Sequence, residues 1–152
     1  MGAIPAGFAL MPTMGLFHDF VGPVYVKQDD TRIVAGLMIE ERHCNLGGNI
    51  HGGMVGTLVD SAFAYAVRKS QDPPVRGVTT TMAIDFIGTA EPGQWIEAHV
   101  DVVRSGRRVV FLNCFVWCEA NRIARASATF QVVGSYDGAA TALKPPAVQE
   151  HT

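Results

Sequence analysis

The sequence predicts an α+β domain: a curved antiparallel sheet of about six strands wrapped around one long central helix. Three observations predict it. A proline-free amphipathic stretch runs from Gly53 to Lys69, four strand-like segments follow it in close succession, and two more precede it.

The helix is justified first. From Gly53 to Lys69 the only further glycine is Gly56, and the stretch is about 17 residues or about 25 Å long as a helix. Wound at about 100° per residue, it places Met54, Val55, Leu58, Val59, Ala62, Phe63 and Ala66 on one broad apolar face. Gly56, Thr57, Asp60, Ser61 and Ala64 fall on the other, small residues around a single carboxylate. Arg68 and Lys69 occupy the last turn, where the helix dipole favours cations. The apolar face suits a sheet, and the small face admits a close neighbour.

Before the helix, residues 13–21 suit a short helix that Gly22-Pro23 breaks. Val24–Lys27 and Arg32–Glu41 alternate like strands, with Asp29-Asp30-Thr31 as the turn between them. Gln71-Asp72-Pro73-Pro74 stops the helix and turns the chain. Strands are then expected over Gly77–Ile87, Trp95–Arg104, Arg107–Cys118 and Ile123–Val133. Glu91-Pro92-Gly93, Ser105-Gly106 and Asn121 punctuate them. Trp95 and Trp117 read as sheet core. One domain over residues 1–133 and a loose tail over 134–152 complete the expectation.

Composition narrows the function. A chain of 152 residues with 48% hydrophobic and 17% charged residues buries one core. A formal net charge of −2 gives nucleic acid no electrostatic footing. The five histidines and three cysteines show no zinc-ligand spacing, so no metal or other cofactor is expected. Cys114 and Cys118 read as buried free thiols in a reducing cytoplasm. No apolar run is long enough to span a membrane. The first residues lack the basic start of a signal peptide, and Ala6 stands where a myristoylation motif wants Ser or Thr.

The chemistry is concentrated in HCNLGGNIHGG, residues 43–53, and the helix after it. The pattern Asn45-x-x-Gly48-x-x-His51-Gly52-Gly53, followed by Asp60, resembles the hotdog-fold acyl-CoA thioesterases of the 4-hydroxybenzoyl-CoA thioesterase superfamily. Within them it is similar to the PaaI-like and thioesterase-superfamily-member-2 branch. The resemblance covers roughly residues 16–133. It implies the hotdog fold, hydrolysis of an acyl-CoA, and a homodimer or dimer of dimers.

Thioester hydrolysis needs donors for the developing oxyanion and a base or nucleophile. The open N–H groups of a helix start supply the first. The resemblance assigns that donor to Gly52, with Gly53 beside it as a substrate-binding position. Asp60 is the candidate general base or nucleophile. It lies about 12 Å along the axis from Gly52, whereas a base must reach its water within about 3 Å. Asp60 therefore serves a carbonyl held by a partner's helix, which predicts a homodimer with shared sites. By resemblance Asn45 orients water or thioester, His51 holds the loop and helps polarise the carbonyl, and Thr79 assists the water. Arg104, Arg107 and Arg108 are matched to contacts with coenzyme A phosphates, which guanidinium groups suit. An aryl- or medium-chain acyl-CoA is the expected substrate, and a non-catalytic acyl-CoA-binding protein is the alternative.

Overall fold

The computed structural model describes residues 2–138. In order come β1 (Ala9–Leu10), α1 (Leu16–Val21), β2 (Tyr25–Gln28), β3 (Ile33–Met38), a 3-10 turn (Glu41–His43) and α2 (Gly52–Lys69). Then follow β4 (Val75–Phe86), β5 (Trp95–Ser105), β6 (Val109–Cys118) and β7 (Asn121–Ser135). The strands form one antiparallel sheet in the order β1-β2-β3-β5-β6-β7-β4. The expected single long helix and the strands on either side of it are present. β1 is an additional two-residue strand at one edge, too short to leave a pattern in the sequence. α2 begins at Gly52, one residue earlier than its apolar periodicity announces. β7 runs on to Ser135, and the tail from residue 139 lies outside the described residues.

The core is the interface between α2 and one face of the sheet. Leu58, Val59, Ala62, Phe63, Ala66 and Val67 meet Leu37, Ile96, Val100, Val110, Leu112, Val116 and Phe130, all at most 2% exposed. Each of the larger side chains contributes about 1.5–3 kcal/mol by leaving water. Phe63 and Phe130 meet edge to face at 6.3 Å. Cys114 and Cys118 are buried free thiols, and burial pushes the Cys114 thiol up to about 12. Ser61, placed by its angle among the helix's open small residues, is instead buried. Among the described residues no helix is long and apolar enough to cross a membrane.

Trp95 and Trp117 depart from expectation. Both lie on the sheet face turned away from α2 and are half-buried there. Alternation fixes this outcome: Ile96, Ala98 and Val116 take the inward positions beside them. Phe8 and Tyr25 cover Trp95, with ring centroids at 5.1 and 5.9 Å. Its indole lies over Gly36, where an added Cβ would sit 2.0 Å from Cζ2. Gly36→Ala should therefore cost about 1–3 kcal/mol by overpacking. A thermal melt should show the loss, with turnover per folded molecule unchanged because the indole is on the face away from the helix.

β4 is twelve residues long and, among the described residues, occupies an edge of the sheet with β7 as its one partner. Its register slips at Thr80, which the ladder skips between Thr79 and Thr81. Thr80 Oγ1 donates to Thr129 O at 2.8 Å. The extra residue lets Gly77 and Thr79 before it, and Met82, Ile84 and Phe86 after it, all face α2.

Candidate active site

The loop from His43 to His51 closes like a hairpin. His51 N–H donates to His43 O at 2.9 Å, and Asn45 N–H to Asn49 O at 2.8 Å. Inside it, Asn45 Oδ1 accepts from Gly47 N–H at 2.8 Å and from Asn49 N–H at 3.4 Å. The carbonyl half of Asn45 is thus spent on folding the loop, and only its amide nitrogen is available for a substrate or water. Gly48 has φ +79°, a conformation that glycine takes without strain. An open hollow here is lined by Cys44, Asn45, Leu46, Gly47 and His51, with Leu46 fully exposed.

His51 is the N-cap of α2. Its Nδ1 accepts from Gly53 N–H at 2.8 Å, which places the ring proton on Nε2. The bond explains the second glycine, since a Cβ on residue 53 would lie 2.9 Å from that nitrogen. With Gly53 N–H occupied and Met54 and Val55 N–H both bonded to His51 O, Gly52 N–H is the first-turn donor left without an acceptor among the described residues. The Phe86 ring stands over this position, 3.3 Å from where a Gly52 Cβ would be. The expected donor and its surroundings therefore meet, with Phe86 delivered by β4.

Asp60 is half-buried on the small face of α2. Thr79 Oγ1 donates to its Oδ1 at 2.7 Å, so these two candidate residues, named separately in the sequence, are in direct contact. The hydroxyl fixes one carboxylate oxygen and leaves the other to accept. Asp60 does not approach Gly52 of its own chain, because eight residues of α2 hold them about 12 Å apart. The arginines lie further off. Ser105 Oγ donates to Ser70 Oγ at 3.0 Å, and Gln71 Nε2 to Gly106 O at 2.9 Å. These bonds pin the β5–β6 turn, which carries Arg107 and Arg108 and follows Arg104 near the end of β5, to the C-terminal end of α2, about 27 Å from Gly52.

The Thr80 bulge and the ring over Gly52 were not legible in advance. Val78 to Met82 reads as an unbroken β-forming run, and a bulge among three consecutive threonines carries no compositional mark.

Comparison with known proteins gives the family and the fold. Residues 47–132 match the Thioesterase superfamily. A Pseudomonas aeruginosa protein whose name proposes an esterase is 36% identical over 130 residues, 85% of this chain and 97% of its own length. Human acyl-coenzyme A thioesterase 13 is 29% identical over 80 residues, 53% of this chain and 56% of its own. Zebrafish thioesterase superfamily member 2 superposes with a TM-score of 0.66 at 30% identity, covering 72% of this chain and 81% of that one. The Escherichia coli PaaI protein shares the fold, with a TM-score of 0.70 at 20% identity over 78% of this chain and 85% of its own. The chain belongs to the thioesterase superfamily, as a thioester hydrolase with the hotdog fold of the PaaI-like proteins.

Proposed function

We propose that the chain is an acyl-CoA thioesterase that acts as a homodimer and hydrolyses an aryl- or medium-chain acyl-CoA to the free acid and coenzyme A. The observation that carries the reading is the division of α2: an open Gly52 N–H at its start and a Thr79-held Asp60 two turns on. Gly52 N–H donates to the thioester carbonyl oxygen as that oxygen gains charge. The partner's Asp60 takes a proton from water as oxygen bonds to the carbonyl carbon. Collapse of the tetrahedral species breaks the carbon–sulfur bond, and the same carboxyl returns the proton to sulfur. With Asp60 as nucleophile, its carboxylate oxygen instead bonds to the carbonyl carbon, and the carbon–sulfur bond breaks to release the thiolate. Water then cleaves the mixed anhydride, giving the free acid and a proton for the thiolate.

Two features support pairing. Gly52 and Asp60 are equidistant from Gly56 in sequence, so antiparallel helices that bring them together cross where the two copies of Gly56 meet. Among the described residues a Cβ there would meet only Ile84 Cδ1 at 3.5 Å, an ordinary contact. A mid-helix glycine costs about 1 kcal/mol relative to alanine, and close approach of a second helix accounts for it. The edge of β4, unpaired among the described residues and with Phe86 58% exposed, lies along the same face of α2 and offers a strand for pairing. In such a dimer the Arg107 and Arg108 turn, remote from its own Gly52, extends past the partner's catalytic loop toward the phosphates of coenzyme A.

Mixing two inactive chains tests the shared site. Equal amounts of Gly52→Pro and Asp60→Asn, allowed to exchange subunits, should recover about a quarter of wild-type activity, because half the dimers carry one intact site. Recovery of nothing beyond the two parents, with subunit exchange demonstrated, would refute the shared arrangement.

A further inference from the structure

His43 is buried, with 4% of its surface exposed, in the 3-10 turn that precedes the catalytic loop. Every polar atom it offers is used. Its Nδ1 accepts from Glu40 N–H at 3.0 Å and its Nε2 donates to Val21 O at 2.8 Å. Its own carbonyl accepts from His51 N–H at 2.9 Å. Glu40 N–H can only donate and Val21 O can only accept, so Nδ1 is the ring's acceptor and Nε2 its donor.

The neighbouring Arg42 extends the same grip. Its guanidinium donates to Phe20 O and to Gly22 O, and its Nε donates to Glu40 Oε2 at 2.8 Å, which holds the Glu40 carboxyl below its ordinary value. Three consecutive carbonyls at the end of α1 are thus capped by Arg42 and His43. α1 is anchored at one end of the chain of bonds, and at the other end His51 sets the first turn of α2.

We infer that His43 is a positioning residue for the oxyanion donor: through one fixed tautomer it ties the end of α1 to the base of the loop that aims Gly52 N–H. This rests on the proposed reaction. Displacing the base of that loop moves the donor without touching the substrate surface, so the cost falls on turnover rather than on binding.

The test compares full-length wild type, His43→Ala and His43→Gln on the best acyl-CoA of a small panel, with melting temperature and oligomeric state measured alongside. His43→Ala should lose about 10- to 100-fold in kcat, the cost of a donor displaced by about 1 Å, with KM little changed. His43→Gln should regain most of it, since glutamine at this position of a capping box accepts from the Glu40 N–H and its amide reaches Val21 O. Nitrogen NMR of wild type should show the Nε2–H tautomer. A folded His43→Ala with wild-type kcat would overturn the inference, as would a ring protonated on Nδ1. Should His43→Ala not fold, His43→Gln decides: near-wild-type kcat supports the role and a loss as deep as tenfold overturns it. Wild type inert on every acyl-CoA would instead sink the reaction itself, and this inference with it.

Discussion

Asp60→Asn should lower kcat on the preferred acyl-CoA by about 10²- to 10⁴-fold, the range over which a positioned acid–base group acts. The substitution is nearly isosteric, and the Thr79 hydroxyl that donates to Oδ1 at 2.7 Å keeps an amide oxygen to donate to. Fold, dimer and substrate affinity should therefore survive while the proton acceptor is lost. The measurement is thioester absorbance on phenylacetyl-, benzoyl-, hexanoyl- and lauroyl-CoA, with substrate binding measured separately by calorimetry. An Asp60→Asn chain as fast as wild type would remove Asp60 from the chemistry. Wild type that binds these thioesters tightly without turning them over would favour an acyl-CoA-binding role.

Gly52→Pro should cost about 10²- to 10³-fold in kcat, the worth of one oxyanion donor. A backbone N–H is usually beyond the reach of mutagenesis, but this one lies where proline is tolerated. Gly52 is the first residue of α2, and His51 before it has φ −68° and ψ 135°, the extended conformation that a residue preceding proline prefers. The helix start should persist and only the donor disappear. Gly52→Ala is the control, because it keeps the N–H while placing a Cβ 3.3 Å from the Phe86 ring. A Gly52→Pro chain that turns over like Gly52→Ala would show that another group holds the carbonyl.

Most of the fold was legible because its elements are marked by period. The apolar stripe of α2 and the alternation of β5 through β7 follow from side chains that must be inside, and the turns between them carry Gly, Pro or Asn. The two tryptophans escaped because size suggested burial, whereas position in the alternation decided the face. Asp29 illustrates the local case: its Oδ1 accepts from Thr31 and Arg32 N–H, both at 2.8 Å, closing the turn that Asp29-Asp30-Thr31 announced. The site divides in the same way. Asp60, His51 and the glycines were singled out by the spacing of the motif, and Thr79 by resemblance. The Thr80 bulge, Phe86 above Gly52 and the His43–Arg42 clamp depend on pairs far apart in the chain, and no local pattern records them.

The proposed oxyanion donor belongs to the main chain, and this bears on how such a site evolves. Any residue except proline at position 52 carries the same N–H, so what inheritance must preserve is the point at which a helix begins. The histidine cap on Gly53 N–H fixes that point. Surrounding positions that shape the acyl group's seat are then free to change without forfeiting the reaction. A lineage can drift far in sequence, and in substrate, while each descendant still hydrolyses a thioester.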